Sequence, residues 1–448
     1  MSLTRSIAVM AVLLAGGGLA GCGTIGKLNP FDKPKNKVVA TQGERIPLAA
    51  FNTKVEVAEA LKGQPIVLPA MQLVDSWPQP GGPAQGWVDN VAAAQNFQIA
   101  WRRDLGQGSS KKFHITATPV VADGKVFAMD GEAMVSALNA NTGAPVWRTE
   151  VAVHTHRDKE AFGGGITYAN GKIYVSSGYR FIAALDAASG RLLWRTPTDA
   201  PIHDAPSVGS GHVIAIDVND QMVSVDAETG APDWTYQALT EPARLIKASS
   251  PVIAGEAVIG AFASGELVSL RASNGNPLWT QVLSRSSRTN ALSEIRDIAG
   301  RPVVRQGEVF AGSHSGVFMA VDLLTGQPKW GIPVTTLSTP WPAGDVVYIV
   351  SKSGEVIAAA RASGQVYWIR DLNAGITKRK KRSLFYGPVL AANRLIVTSS
   401  KGAAIALDPK TGATLSQIDL GGPGLIAPIA ANGLVYVVTA DGDLVAIR

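Results

Sequence analysis

ALDAASGRLLW, residues 184–194, is the clearest copy of a unit that recurs along the chain. Its glycine and tryptophan stand four residues apart, and seven glycines return in this setting at intervals of 38 to 51 residues. A seventh copy keeps Gly412 but has Ser416 where the others have tryptophan. The six complete pairs are Gly143 and Trp147, Gly190 and Trp194, Gly230 and Trp234, Gly275 and Trp279, Gly326 and Trp330, and Gly364 and Trp368. A period of this length indicates a repeat architecture.

Each unit contains four short runs of β-branched and apolar residues, separated by turns rich in Gly, Asp and Asn. In the first unit the runs are 119–122, 125–129, 134–138 and 145–148. This pattern predicts a four-stranded antiparallel meander. Such a sheet has two apolar faces, and sheets that stand radially in a ring bury both of them. The sequence therefore predicts an all-β protein, a β-propeller of four-stranded antiparallel blades.

The two ends of the repeat region complement each other. The last unit stops at Arg448 without a fourth run, and an unpaired run with its own tryptophan, residues 97–102, precedes the first unit. If this N-terminal strand joins the last blade, the ring closes without exposed edges at the chain ends. We therefore predict an eight-bladed propeller over residues 95–448. Because the tryptophans recur regularly, we interpret them as core between blades and not as a sugar-stacking ladder.

The N-terminus resembles the signal of a secreted lipoprotein. Arg5 supplies a positive start, and residues 7–14 form an apolar run too short to span a membrane. Residues 19–22, Leu-Ala-Gly-Cys, resemble the bacterial lipobox, whose cysteine accepts a diacylglycerol. The resemblance implies a lipoprotein signal peptide over 1–21 and lipidation of Cys22 with several acyl chains such as palmitate.

Cys22 is the single cysteine of the chain, and the resemblance assigns it to lipidation. No internal disulfide can form. More than one acyl chain gives stable membrane attachment. Gly23 stands where the family's sorting rule places aspartate for inner-membrane retention, so we expect the periplasmic face of the outer membrane. Residues 22–94 are predicted to be a lipid-anchored tether and N-terminal extension.

The repeats resemble those of the pyrroloquinoline-quinone-type propeller family, as residues 184–194 and 320–330 illustrate. A lipobox followed by eight such blades resembles the BamB family of outer-membrane protein assembly lipoproteins. That resemblance implies a non-catalytic scaffold subunit of the outer-membrane β-barrel protein assembly (BAM) complex. It implies binding to the POTRA region of BamA and help with the insertion of β-barrel proteins, without a cofactor or a metal.

Two loops carry the contacts that the resemblance implies. Residues 244–251 are similar to a stretch where the family places apolar and basic contact residues, and residues 293–304 are similar to an acidic loop of the family. The alternative is that both loops only cover the ends of the blades. The residues carried over as partner-binding are Leu245, Ile246, Lys247, Arg296 and Asp297.

Two other functions share this fold. A quinoprotein dehydrogenase uses a quinone, calcium and usually a pair of adjacent cysteines, and this chain has only Cys22. A periplasmic lipoprotein that binds glycan or cell-wall material would differ in partner and not in fold. Four aspartates recur at one turn position and are interpreted as turn formers rather than calcium ligands, namely Asp186, Asp226, Asp322 and Asp408.

Charge indicates little about partners. The net charge is +6, and five consecutive cations occupy 378–382. A solvated loop is one interpretation of this run, and contact with anionic lipid head groups is the other. Nucleic acid is not an expected partner. Contact of strand edges with unfolded outer-membrane proteins stays open.

Overall fold

The architecture is that of a computed structural model, which describes residues 54–82, 88–152, 161–241, 245, 249–283 and 295–448. Eight four-stranded antiparallel sheets form within these residues, so the predicted fold class is confirmed. The described part contains two short 3-10 turns, Glu59–Leu61 and Arg379–Lys381. No helix in it is long and apolar enough to cross a membrane.

The blades are numbered in chain order, and their strands are given from the centre of the ring outward. Blade 1 has β3 (Val120–Ala122), β4 (Lys125–Met129), β5 (Met134–Asn139) and β6 (Pro145–Glu150). Blade 2 has β8 (Gly164–Ala169), β9 (Lys172–Ser177), β10 (Phe181–Asp186) and β11 (Leu192–Pro197). Blade 3 has β12 (Ser207–Gly209), β13 (His212–Ile216), β14 (Gln221–Asp226) and β15 (Pro232–Gln237). Blade 4 has β16 (Val252–Ala254), β17 (Ala257–Ala261), β18 (Glu266–Arg271) and β19 (Pro277–Val282).

The second half of the ring repeats the arrangement. Blade 5 has β20 (Val303–Arg305), β21 (Glu308–Gly312), β22 (Phe318–Asp322) and β23 (Pro328–Ile332). Blade 6 has β24 (Trp341–Ala343), β25 (Val346–Val350), β26 (Glu355–Ala360) and β27 (Val366–Asp371). Blade 7 has β28 (Phe385–Ala391), β29 (Arg394–Ser399), β30 (Ala403–Leu407) and β31 (Thr414–Asp419). Blade 8 has β32 (Ile429–Ala431), β33 (Leu434–Val438), β34 (Asp443–Ile447) and β1 (Ile99–Asp104), and a separate parallel pair joins β2 (Phe113–His114) to β7 (Ala161–Phe162).

The chain ends close the ring as the sequence predicts. Strand β1 pairs with β34, and Trp101 lies opposite Ala446. Two backbone hydrogen bonds between Gln98 and Arg448, of 2.8 and 3.0 Å, continue this pairing to the last residue. Apolar clusters fill the spaces between neighbouring blades all round the ring. Because both ends lie in one sheet, blade 8 cannot open without breaking that sheet.

The glycine and tryptophan of the repeat meet between blades. Trp147 of blade 1 donates its indole N–H to Ala187 O of blade 2, at 3.1 Å. A Cβ atom at Gly190 would lie only 2.6 Å from the Trp147 ring, and Gly190 also has φ +75°. The position thus needs glycine twice, for its left-handed backbone and for its close contact with the indole. We call this recurring contact the Gly–Trp seam.

The degenerate seventh copy has a structural explanation. Trp101 of blade 8 packs against Gly143 of blade 1, so the N-terminal strand supplies a seam tryptophan. The third strand of blade 8 is β34, at the C-terminal end of the chain, and its fourth strand is β1, which precedes blade 1. No turn therefore connects these two strands. The residue of blade 7 that would face such a turn, Ser416, therefore has no glycine turn to pack against, and tryptophan is not needed there.

The recurring aspartates form turns, as predicted. Asp186 accepts hydrogen bonds from Ser189 N at 2.8 Å and from Ser189 Oγ at 2.6 Å. Side-chain and backbone donors of this kind lower the pKa values of Asp186, Asp226 and Asp322 below the ordinary value of 3.8. In blade 1 the uncharged Asn139 accepts the same backbone bonds. The position requires an oxygen acceptor and not a charge.

These turns predict part of the acid sensitivity. Because the folded-state pKa of each aspartate lies below its unfolded value, its contribution to stability is complete above about pH 4 and is lost as the pH falls through the folded pKa. A triple Asp186→Asn, Asp226→Asn, Asp322→Asn variant should therefore lose less stability than the parent between about pH 4 and pH 2. Thermal unfolding measured at these pH values checks this, and parallel pH profiles would contradict it.

The antiparallel order sends the connections of every blade to two opposite faces of the ring. We call the turn face the one formed by connections between first and second and between third and fourth strands, such as 123–124 and 140–144. The loop face is formed by the connections between second and third strands and from one blade to the next, such as 130–133 and 238–241. The Gly–Trp seam lies on the turn face, and the described residues of the two predicted docking loops, 245, 249–251 and 295–302, lie in connections of the loop face.

Within residues 66–82 and 88–94, the N-terminal extension covers the middle of the turn face. It adds buried apolar side chains to the cluster of blades 6, 7, 8 and 1, among them Ile66, Val74, Trp77 and Val91. Its backbone bonds the turns of blades 7 and 8 through Ala392 N to Val91 O at 2.8 Å and Asn432 N to Val74 O at 2.6 Å. The predicted domain boundary at residue 95 stays a prediction, although residues on both sides of it pack into one cluster.

Candidate partner-binding face

Two loops of the loop face meet above blade 4. The connection from blade 3 contributes Leu245, whose N–H donates to Asp297 Oδ2 of the connection from blade 4, at 2.9 Å. Two stretches that lie 52 residues apart are thus brought into direct contact. Their joint position on one face matches what a common docking surface requires.

A charged residue at the rim of a docking surface is expected to be exposed, and Asp297 is not. Its side chain is buried, and its backbone oxygen accepts from His314 N of blade 5 at 2.8 Å. The next residue, Ile298, donates its N–H to Phe262 O of blade 4 at 3.3 Å. The carboxylate is turned inward because it satisfies the Leu245 N–H, so Asp297 holds the two loops together.

Arg296 and Leu245 have more accessible positions. Arg296 is exposed, and its Cβ lies against Gly265, in the connection between β17 and β18. Leu245 is half-buried. Ile246, Lys247 and Cys22 lie outside the described residues, so their predicted roles stay predictions.

One exposed leucine beside these loops was missed by the sequence analysis. Leu239 is 67% exposed, and its N–H donates to Glu266 Oε2 at 3.1 Å. It leads into the connection that carries Leu245, and a single leucine in a connection gives no periodic pattern that could have identified it. We call Leu239, Leu245, Glu266 and Arg296 the blade 4 patch. An apolar centre with a polar rim is a common arrangement at protein–protein interfaces, and arginine is enriched there.

The basic run also lies on the loop face. Residues 378–382 are exposed, in the connection from blade 6 to blade 7. Asn373 connects the two ends of this loop. Its Nδ2 donates to Ser383 O at 3.0 Å, and its Oδ1 accepts from Ser383 N at 2.9 Å. The loop presents its cations to solvent on the same side of the ring as the blade 4 patch.

The centre of the ring is largely filled by the chain itself. Trp77 of the extension pairs its backbone with Val121 of β3 through bonds of 2.7 and 2.9 Å. Its ring stacks on Trp341 of blade 6, with centroids 5.9 Å apart. A cavity of about 60 Å³ remains. Within the part of the chain that the structure describes, no group of three or more His, Cys, Asp or Glu side chains is placed to hold a metal ion.

Comparison with known proteins places these features in context. The sequence profile of the family described as outer membrane protein assembly factor BamB matches residues 131–370 and 374–448. A second profile, for the β-propeller domain of glucose, ethanol and alcohol dehydrogenases, matches residues 88–172. The outer membrane protein assembly factor BamB of Burkholderia pseudomallei is 26% identical over 356 residues, which cover 79% of this chain and 88% of that protein.

Solved structures show the same fold. BamB from Moraxella catarrhalis superposes with a TM-score of 0.67 at 20% identity, over 78% of this chain and 99% of that one. A quinohemoprotein alcohol dehydrogenase from Pseudomonas putida superposes with a TM-score of 0.61 at 15% identity, over 79% of this chain and 76% of that one. At 20% and 15% identity, these two structures show that the chain has the propeller fold, and they do not indicate its function.

Proposed function

The chain belongs to the family of the outer membrane protein assembly factor BamB, and on this basis we propose that it is a non-catalytic scaffold subunit of the BAM complex. It is anchored by lipid at Cys22 to the periplasmic face of the outer membrane. Its loop face binds the POTRA region of BamA through the blade 4 patch. By holding that region in place, the ring aids the insertion of β-barrel proteins.

One observation carries this proposal beyond family membership. The turn face is covered in its middle by the extension, while the loop face joins two chain-distant loops through the Leu245 and Asp297 hydrogen bond. A rigid ring with such a patch can bind a partner without rearrangement, which lowers the entropy cost of association. Leu239 and Leu245 supply the apolar part of the contact, and Arg296 and Glu266 supply charge.

The centre of the ring favours a scaffold over a dehydrogenase. Small-molecule and cofactor sites usually enclose about 300–1,000 Å³. The central cavity has about 60 Å³, with Trp77 and Gly81 of the extension among the residues that line it. A group of quinone size does not fit there, so we derive no redox step for this chain.

The blade 4 patch is tested by a double variant that introduces a negative charge at Leu239 and reverses the charge at Arg296. A Leu239→Glu, Arg296→Glu double variant should lower the recovery of BamA, the proposed partner, from envelope extracts at least tenfold, since interfaces depend on a few central residues. The matched control is Leu324→Glu, because Leu324 is 84% exposed on the turn face. That control should leave recovery unchanged.

The outcomes separate the patch from the function. Equal recovery with both folded variants would refute the patch while leaving the family function intact. If the parent chain recovers no BamA but is retained on cell-wall glycan, the scaffold proposal itself fails. Asp297 is unsuitable for this test, because its buried carboxylate supports the loop.

A further inference from the structure

The basic run 378–382 lies in a connection that is longer than its two neighbours. Residues 372–384 join blade 6 to blade 7, whereas the connections from blade 5 to blade 6 and from blade 7 to blade 8, residues 333–340 and 420–428, are shorter by five and four residues. All five cations of the run are exposed. The extra length of this connection therefore presents positive charge on the loop face.

Hydrogen bonds to neighbouring strands and connections order this loop. Asn373 Nδ2 also donates to Ser353 O, in the connection between β25 and β26, at 3.2 Å. Lys401 Nζ of blade 7 donates to Lys381 O at 2.8 Å, at the end of the 3-10 turn Arg379–Lys381. Because neighbouring cations repel each other, these bonds hold an arrangement that charge alone disfavours.

Acidic side chains do not neutralise the run. Over residues 54–82, 88–152, 161–241, 245, 249–283 and 295–448, no ion pair joins it to a carboxylate. Glu355 and Asp371 lie at the loop-face ends of strands in blade 6, where they accept hydrogen bonds from Ser351 Oγ at 3.2 Å and Asn373 N at 2.8 Å. The positive charge of the run is thus left for a partner or for solvent.

Two more lysines extend this charge across the loop face. Lys352 lies in the connection between β25 and β26, and Lys401 lies in the connection between β29 and β30. Both are exposed. We call residues 378–382, Lys352 and Lys401 the basic surface. It lies on blades 6 and 7, away from the blade 4 patch, so one ring can use both surfaces at the same time.

The N-terminal extension joins the ring beside the basic surface. Lys54, the first residue that the structure describes, lines a groove together with Lys352 and Ser353 of blade 6. The chain toward Cys22 continues from Lys54. Asn373 connects Ser353 to the loop that carries the basic run. The segment that leads to the proposed lipid anchor and the basic surface are therefore attached to the same blade.

We propose that the basic surface binds the anionic phospholipid head groups of the membrane to which the chain is anchored. This inference rests on the lipid anchor of the proposed function, because that anchor brings the ring to a bilayer. Each lysine or arginine near an anionic bilayer raises affinity about fivefold. Leu384, beside the run, is 47% exposed and adds apolar contact with the head-group region. The acyl chains attach the chain, and the basic surface gives the ring a second contact that sets its orientation.

Vesicle binding of the proposed mature chain, residues 22–448, tests this surface when Cys22→Ser removes the acyl chains. Vesicles of equimolar phosphatidylcholine and phosphatidylglycerol should bind this protein at least tenfold more tightly than vesicles of phosphatidylcholine alone. Binding should weaken as salt is raised from about 0.1 M to about 1 M, because the Debye length falls from about 10 Å to about 3 Å. An Arg379→Gln, Lys380→Gln, Lys381→Gln triple variant should lose at least tenfold in affinity for the anionic vesicles.

The matched control is an Arg191→Gln, Arg271→Gln, Lys410→Gln triple variant. These three cations are exposed on the turn face. The control therefore removes the same net charge from the opposite side of the ring. It should bind anionic vesicles as tightly as the parent chain does.

Equal binding of the parent chain to the two kinds of vesicle would overturn the proposal. Equal losses in the two triple variants would also overturn it, since net charge alone would then explain the binding. If the variant of the run loses recovery of BamA from envelope extracts but binds vesicles like the parent, the run contacts that protein and not lipid. A negative result with vesicles leaves the scaffold function intact, because BamA recovery measures that function separately.

Discussion

Replacing Gly326 by alanine is expected to lower the free energy of unfolding by about 3 kcal/mol. Gly326 has φ +69°, and a left-handed backbone costs an L-residue roughly 1 kcal/mol. A Cβ atom there would also lie 2.6 Å from the ring of Trp279, and overpacking of this kind costs about 2 kcal/mol. Chemical denaturation followed by tryptophan fluorescence measures the loss.

The matched control is Gly307→Ala. Gly307 has φ +76°, but a Cβ atom there would meet nothing within 4 Å. This variant should therefore lose only the backbone part, about 1 kcal/mol. If the two variants lose the same stability, the close contact of glycine with tryptophan does not matter and the Gly–Trp seam is not what selects glycine.

Replacing Trp77 by alanine should cost about 3–5 kcal/mol, as expected for removal of a buried indole. Trp77 is 2% exposed, and its ring lies almost parallel to that of Trp341, at an interplanar angle of 9°. Its loss would empty the centre of the ring and remove the stacking contact. Thermal or chemical unfolding measures the effect, and limited proteolysis reports whether the extension is still bound.

Leu73→Ala is the control within the same segment. Leu73 is 84% exposed, so its truncation should change stability by no more than about 0.5 kcal/mol. A Trp77→Ala variant as stable as Leu73→Ala would mean that the extension does not hold the centre of the ring.

The candidate site was only partly predictable. Similarity of two loops to the family singled out Leu245 and Asp297, and the structure joins them by a hydrogen bond. The buried position of Asp297 could not be predicted, because the partner of its carboxylate is a backbone N–H in another loop. Leu239 was missed because a single exposed leucine carries no periodic signal.

The sequence by itself determined the blades, the ring and its closure. Strand alternation, turn residues such as Asp186 and the Gly190 to Trp194 spacing are local, and a repeated local pattern is visible without a structure. Only the tertiary structure decided what fills the centre of that ring. Trp77, Gly81 and Arg301 meet there because eight sheets bring positions more than 200 residues apart within contact. Each of these residues is unremarkable in its own stretch of sequence, since its role depends on neighbours that chain order does not reveal.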